Sequence, residues 1–363
     1  MREDSEILSL IAMGLIPGIG PKKARKILEI TGSAQEFFRT SEKLKMSGVK
    51  NSDLNQQHLN AYLRRAEDEL AYNRRHDIVT VHYQQTEYPY RLKSCEDAPL
   101  VIFTKGNIDL NASRTVAIIG TRTATEYGNR VCEELIAELA HMKCTLISGL
   151  AHGIDSFAHR AAQTHGIQNI GVVAHGLDSV YPHVNRTLAA SMLENGGLVT
   201  DFLVGTRPDR ENFPKRNRII AGIADAVIVV EAAKKGGALI TAELALSYNR
   251  DVFAIPGRIG DKTSEGCNML IKNNRAALLA SPRDLAWYMT WDRRKTQTVQ
   301  TSLFHELSEI ETQVLSLIRN GKNHPDLLVP ETGLSPQMIS ATLLELEFKG
   351  TVKVSPGKIY NIV

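Results

Sequence analysis

The sequence runs to 363 residues, enough for two or three domains and a sizeable buried core. Apolar residues make up 43% and charged ones 23%, with a net charge of only +3, so any polyanion partner must be held by local patches rather than by bulk charge. Cys95, Cys132, Cys144 and Cys267 are scattered with no C-x-x-C pair, which points to neither a zinc site nor a disulfide framework.

The chain begins "MREDSEILSL", acidic and without the basic-then-apolar order of a signal peptide, and no apolar run approaches the ~20 residues that span a bilayer. A reduced, cytoplasmic protein without a membrane segment is expected. Residues 1–75 read as a helical domain, with apolar residues at helical spacing in "EILSLIAMGLI" and "HLNAYLRRAEDELAY". Within it, "IPGIGPKKARKIL" places Gly18, Ile19 and Gly20 ahead of Pro21, and Lys22, Lys23, Arg25 and Lys26 follow. This resembles a helix-hairpin-helix, whose backbone N–H groups face a phosphate and hold nucleic acid without reading sequence. A plain helical corner with a solvated basic face is the equal alternative. Gly18, Gly20, Lys22 and Lys23 are therefore carried forward as accessory DNA contacts.

Residues 76–291 change character. The runs "TVAIIG", "CTLISG", "NIGVVA", "AVIVVEA" and "DVFAIPG" are β-branched, apolar on both faces and separated by helix-like stretches. That pattern predicts a Rossmann-like, doubly wound parallel sheet, which binds ligands at the carboxyl ends of its strands. Four strand ends or helix starts share one chemistry. In "VAIIGTRTATEYG", Gly120 ends a strand, Thr121 and Thr123 offer hydroxyls, and Arg122 offers a forked cation suited to phosphate. In "ISGLAHGIDSFAHRAA", Ser148 and Gly149 end the next strand and Asp155 is placed to cap a helix. His152 and His159 in that stretch lack a suitably spaced third ligand, so they read as structural or surface histidines and no metal is expected. In "NFPKRNRIIAG", Phe213 and Pro214 open a helix whose positive dipole end then receives Lys215, Arg216 and Arg218, an arrangement that calls for a compensating anion. In "VVEAAKKGGALITAELAL", Lys234 and Lys235 precede Gly236 and Gly237 at another helix start. Together these stretches suit several successive phosphates. With no nucleophile–base pair and no paired carboxylates, they are poor for bond breaking, so no enzyme activity and no cofactor are expected.

The stretch "DRRKTQTVQTS" (292–302) reads as a linker. Residues 303–363 show helical segments followed by "GTVKVSPGKIYNIV", which alternates around Pro356-Gly357 like a hairpin; the order is that of a winged helix. Its candidate recognition helix, "SPQMISATLLELEFKG", holds Glu345 and Glu347 and only Lys349. Groove-reading helices offer Arg, Lys, Asn or Gln to DNA, so contact with a protein is the expected role of this one.

Taken in order, "SGLAHGIDSFAH", "GLDSVYPHVNRTL", "FPKRNRIIAGIADAVIVVEA", "GALITAELAL" and "VFAIPG" closely resemble the DNA-processing protein A (DprA/Smf) family over about residues 78–280. The resemblance implies an extended Rossmann domain that binds single-stranded DNA, protects incoming DNA in natural transformation and helps load the RecA recombinase, usually as a homodimer. It also implies a small helical N-terminal domain and a C-terminal winged helix. Carried over by position, Gly120-Thr121-Arg122 matches the family's Gly-Ser-Arg-like turn, and Ser148 and Gly149 match its Ser-Gly-Leu turn. Phe213, Lys215, Arg216, Asn217 and Arg218 match its Phe-Pro-x-Arg-Asn-Arg stretch, and Gly237 lies before its "LITA". The chain departs from the pattern at His152, where Arg is usual, at Gly236 and Ala238, where serines are common, at Ala174-His175 and at Asn274-Arg275. A different class is kept as the alternative: "GGALITAE" (236–243) faintly resembles the signature of nucleoside-monophosphate phosphoribohydrolases, with Glu243 as the acid and Arg122 as a phosphate clamp.

Overall fold

The computed structural model describes residues 2–39, 55–291 and 307–363. The chain forms two compact units, Met1–Leu278 and Leu279–Val363. The first opens with four helices, α1 (Arg2–Leu15), α2 (Pro21–Thr31), α3 (Ala34–Arg39) and α4 (Gln56–Arg75). Gly20 caps α2 and Pro21 occupies its first turn, where the missing N–H costs nothing. The expected boundary at residue 75 is a change of element type, not a break in packing. One apolar cluster runs from Leu10, Met13, Ile27 and Phe37 of the helices to Leu100 and Phe103 beside the sheet.

The sheet alternates with helices: β1 (Val79–His82), α5 (Tyr90–Lys93), β2 (Val101–Asn107), β3 (Thr115–Ile119), α6 (Glu126–His141), β4 (Thr145–Ser148), α7 (Ile154–Thr164) and β5 (Asn169–Val172). It continues with α8 (Arg186–Met192), β6 (Gly196–Thr200), α9 (Asn212–Ile223), β7 (Ala226–Val229), α10 (Gly237–Ser247), β8 (Asp251–Ala254), α11 (Glu265–Lys272) and β9 (Ala277–Leu278). Strand order is β1-β2-β6-β5-β4-β3-β7-β8-β9. From β6 to β9 every pairing is parallel, as the apolar runs predict. The five predicted runs become β3, β4, β5, β7 and β8. Sequence reasoning missed the two-residue β9, and also β1, β2 and β6, and with these the antiparallel edge in which Phe103 pairs with Thr200. The sheet is therefore mixed, though mostly parallel.

Succession reverses between β3 and β7. From β3 the chain winds one way through β4, β5 and β6, and from β7 the other way through β8 and β9. Residues Thr115–Ile119 and Ala226–Val229 are buried throughout, so these two strands form the rigid centre. A crevice opens at such a switch point beyond the strand ends. The loops after β3, β4, β5 and β6, and the start of α9, all lie on that carboxyl edge.

The second unit contains α12 (Pro282–Tyr288), α13 (Glu309–Arg319), α14 (Pro325–Thr332), α15 (Pro336–Phe348) and the hairpin β10 (Val352–Ser355) with β11 (Ile359–Ile362). Three helices followed by a hairpin give the expected winged helix from α13 onward. Ser308 and Glu311 form a capping box on α13, and Leu328, Ile339, Leu343 and Leu346 fill the core. The predicted linker 292–302 lies outside the described residues.

Candidate nucleic-acid interface

β3 ends at Ile119, and the next residues form the floor of the crevice. The Thr121 N–H donates to the Glu231 carbonyl at 2.7 Å, and the Thr121 carbonyl accepts from the Ile154 N–H at 3.1 Å. These bonds lock the turn to the segment after β7 and to the start of α7. The Thr121 hydroxyl lies 3.2 Å from that of Thr123, and both remain near the surface. Arg122 is exposed, and its guanidinium carbon lies 5.2 Å from the centre of the Phe213 ring. Glu231, at the end of β7, is buried and is spent on the start of α6. Its carboxylate accepts from the Thr125 hydroxyl at 2.5 Å and from the Thr125 N–H at 3.0 Å.

The β4 end shows why glycine is required there. A Cβ on Gly149 would lie 2.5 Å from an Arg216 guanidinium nitrogen and 2.6 Å from Asp155 Oδ2. Asp155 accepts from the Gly149 N–H at 3.1 Å and sits inside the first turn of α7. The expected N-cap role of Asp155 is thus incorrect: Gly153 holds the cap position. Its φ of 75° is left-handed, and any Cβ there would lie 2.2 Å from the Thr121 carbonyl oxygen. Ser148 is fully buried, and its hydroxyl donates to the Ile118 carbonyl at 2.6 Å, so it faces the sheet instead of a ligand.

The cations of α9 take three different roles. Lys215 is exposed. Arg216 is buried, donates to the Gly149 carbonyl at 2.6 Å and also to the Val172 carbonyl, and so ties together the ends of β4 and β5. Burial pushes its pKa down to about 10, with the nearby Arg122 charge adding to the effect and Asp155 opposing it. Arg218 is mostly buried and paired with Asp201 and the Asp97 carbonyl. Asn217 is buried, with its amide 3.4 Å from the Gly237 carbonyl. Of the three cations only Lys215 presents its charge at an exposed position. Gly237, with Gly236, Lys234 and Lys235, forms an exposed helix start.

A single pocket gathers Arg122, Gly149, Phe213 and Arg216 with His152, His175 and Tyr181. Phe213 is half-buried, 6.0 Å from the Tyr181 ring and 5.9 Å from the Arg216 guanidinium carbon, so its ring lies within reach of two guanidinium planes. His175, noted in the sequence only as a departure from the family pattern, and Tyr181, within "GLDSVYPHVNRTL", were not among the expected site residues, because neither belongs to a glycine turn beside a lysine or arginine. The His175 Nε2 accepts from the Tyr181 N–H at 3.1 Å while Nδ1 faces the Gly176 carbonyl at 2.8 Å, which fixes a neutral ring, and burial lowers its pKa. Lys215 and Arg218 line a second cleft on the other side of α9, together with Gly20, Pro21 and apolar residues such as Leu10 and Phe103. Gly20 of the hairpin thus shares a cleft with Lys215. Lys22 pairs with Glu96 at 2.5 Å on the surface, and Arg25 donates to the Cys95 and Lys93 carbonyls, docking α2.

The loop leading to α9 is held from the helical domain. Glu69 of α4 is buried, and both its carboxylate oxygens lie 3.1 Å from the Val204 N–H, while Arg65 donates to the Val204 carbonyl at 2.6 Å. Asp201, the partner of Arg218, lies three residues before Val204.

His159 is structural, as expected. Its Nε2 accepts from the Leu150 N–H at 3.3 Å and its Nδ1 meets the Asn169 amide oxygen. Burial lowers its pKa from 6.5 to about 4. The folded value lies below the unfolded one, so the unfolded chain binds the proton more readily, and stability falls as pH drops from about 6.5 towards 4. This shift corresponds to about 3 kcal/mol at most. Urea unfolding at neutral pH and near pH 4 should show a larger acid loss for the native chain than for His159→Gln. Equal losses would assign the acid sensitivity to other groups.

The profile of the DNA recombination-mediator protein A family matches residues 79–290. The chain belongs to this family, DprA/Smf. A second profile, the DprA winged helix domain, matches residues 302–358. Protein Smf of Escherichia coli is 35% identical over 277 residues, 74% of each chain. DNA processing protein DprA of Bacillus subtilis is 39% identical over 210 residues, 58% of this chain and 71% of that one. The DprA structure from Streptococcus pneumoniae superposes with a TM-score of 0.67 at 32% identity, covering 78% of this chain and 97% of that one. DNA processing protein A from Helicobacter pylori, described for its single-stranded DNA binding mode, gives a TM-score of 0.54 at 27% identity, covering 59% and 96%. Among the described residues of this DprA-family chain, no helix is long and apolar enough to cross a membrane.

Proposed function

We propose that this chain is a non-catalytic, sequence-tolerant single-stranded DNA-binding protein that protects incoming DNA in natural transformation and helps load RecA on it, working in the cytoplasm as a homodimer. The observation that carries the DNA reading is the strand-end pocket, in which exposed Arg122 lies over the half-exposed ring of Phe213. A guanidinium beside an aromatic ring offers a phosphate clamp and a stacking surface at once, and stacking on a side chain requires a base freed from its duplex partner. Lys215, on the same helix as Phe213, and Lys234 and Lys235, ahead of α10, are further exposed cations. Protection and recombinase loading rest on the family resemblance alone and add no residue to the site.

The hydrolase alternative has less support. Glu243 lies on an exposed part of α10 and pairs with Arg275, away from the residues that line the Arg122 pocket. Incubation with AMP is expected to release no adenine. Phosphate contact is tested with Lys215→Ala, which should weaken single-strand binding equally for all base sequences and flatten the log–log salt slope by roughly 0.7. Sequence-dependent loss or an unchanged slope would contradict contact with phosphate. Removing residues 303–363 should leave single-strand affinity largely intact, because Lys349, the one cation of the α15 segment, is paired with Glu311 at 2.6 Å. A collapse of affinity in a folded truncation would place the winged helix within the DNA site.

A further inference from the structure

The winged helix carries an unusual recognition helix. On α15, Ile339, Thr342, Leu343 and Leu346 face the core. At 100° per residue, Met338, Ala341, Leu344, Glu345 and Phe348 fall together on the opposite side. They are exposed there: Met338 by 46%, Leu344 by 52% and Phe348 by 83%. Glu345 is exposed within the same face, and no lysine or arginine belongs to it. Lys349 follows the helix but is engaged by Glu311.

We propose that this face docks a cationic amphipathic helix of a partner protein. An apolar strip about three turns long matches residues at three- and four-residue spacing on a facing helix. Glu345 selects what flanks those residues. A covered carboxylate needs a cation or donors, so the partner must bring Lys or Arg alongside its apolar side. A duplex is disfavoured, because its phosphates would meet a carboxylate and three large apolar side chains where such helices present cations. A second copy of the chain is disfavoured too. Two such faces pairing antiparallel would bury both Glu345 carboxylates and supply no cation to either.

The test places photoreactive benzoylphenylalanine at position 348 of the full chain, with the exposed Gln313 position of α13 as control. After irradiation in cells the cross-linked peptides are sequenced. Adducts are expected with a segment of another protein that has apolar residues at helical spacing and Lys or Arg beside them. Leu344→Asp should cut their yield roughly tenfold, and Glu345→Lys should cut it several-fold. Both positions are exposed, so unchanged melting is expected for these variants. Adducts with DNA, with a second copy, or with a segment lacking cations would overturn the proposal. So would a yield no higher than the Gln313 control, or one that Glu345→Lys leaves undiminished.

Discussion

Arg216→Ala is expected to damage the fold more than any other substitution in the basic segment. The guanidinium bonds the Gly149 and Val172 carbonyls and is the cation nearest to buried Asp155, whose pKa burial raises and Arg216 lowers. Removing one partner of such a buried arrangement typically costs about 3–5 kcal/mol. In a unit of this size each kcal/mol shifts the melting temperature by roughly 2–4 °C, so a drop on the order of 10 °C is expected. Weakened DNA binding would accompany that drop as a consequence of it. If Arg216→Ala melts like the native chain yet fails to bind DNA, the residue is a ligand contact and its carbonyl bonds are incidental.

Arg122→Ala should show the reverse pattern, with a normal melting temperature and poor binding. Its side chain is exposed, so little stability rests on it, while its backbone is fixed by the Thr121 bonds to Glu231 and Ile154. A fixed backbone limits the entropy lost when the guanidinium grips a phosphate. A charge-assisted contact contributes about 1.5–3 kcal/mol, equivalent to roughly ten- to hundredfold in affinity. Lysine keeps the charge but lacks the fork and stacks less well on Phe213, so Arg122→Lys should recover only part of the loss. Full recovery by lysine would reduce Arg122 to a contributor to the local field. Normal binding by the alanine variant would place the pocket elsewhere.

Strands buried on both faces, such as "TVAIIG" and "AVIVVEA", announced themselves because nothing but a central parallel sheet covers so many β-branched residues. The antiparallel edge did not: "VTVH" alternates, but over only four residues, too few to stand out, and "GGLVT" opens on two glycines, which weaken a strand signal. Charge clustering located the basic segment but not the direction of its side chains. Successive helical residues diverge by 100°, and Lys215, Arg216 and Arg218 therefore point to solvent, to the sheet ends and to Asp201 respectively. Nothing in the sequence shows that the Ser148 hydroxyl is taken by the Ile118 carbonyl of the neighbouring strand, since β4 is buried along its whole length. The buried anions Asp201, Glu231 and Glu69 gave no signal at all, because they are separated in sequence from the groups they hold.

The account rests on a single strand lying in the strand-end crevice. The direct measurement is a mobility shift with single- and double-stranded oligonucleotides of equal length and mixed sequence, repeated over a range of salt. Tighter binding of the single strand is predicted, with affinity falling linearly on the log–log salt plot. Duplex bound as tightly as single strand, or binding indifferent to salt, would contradict it.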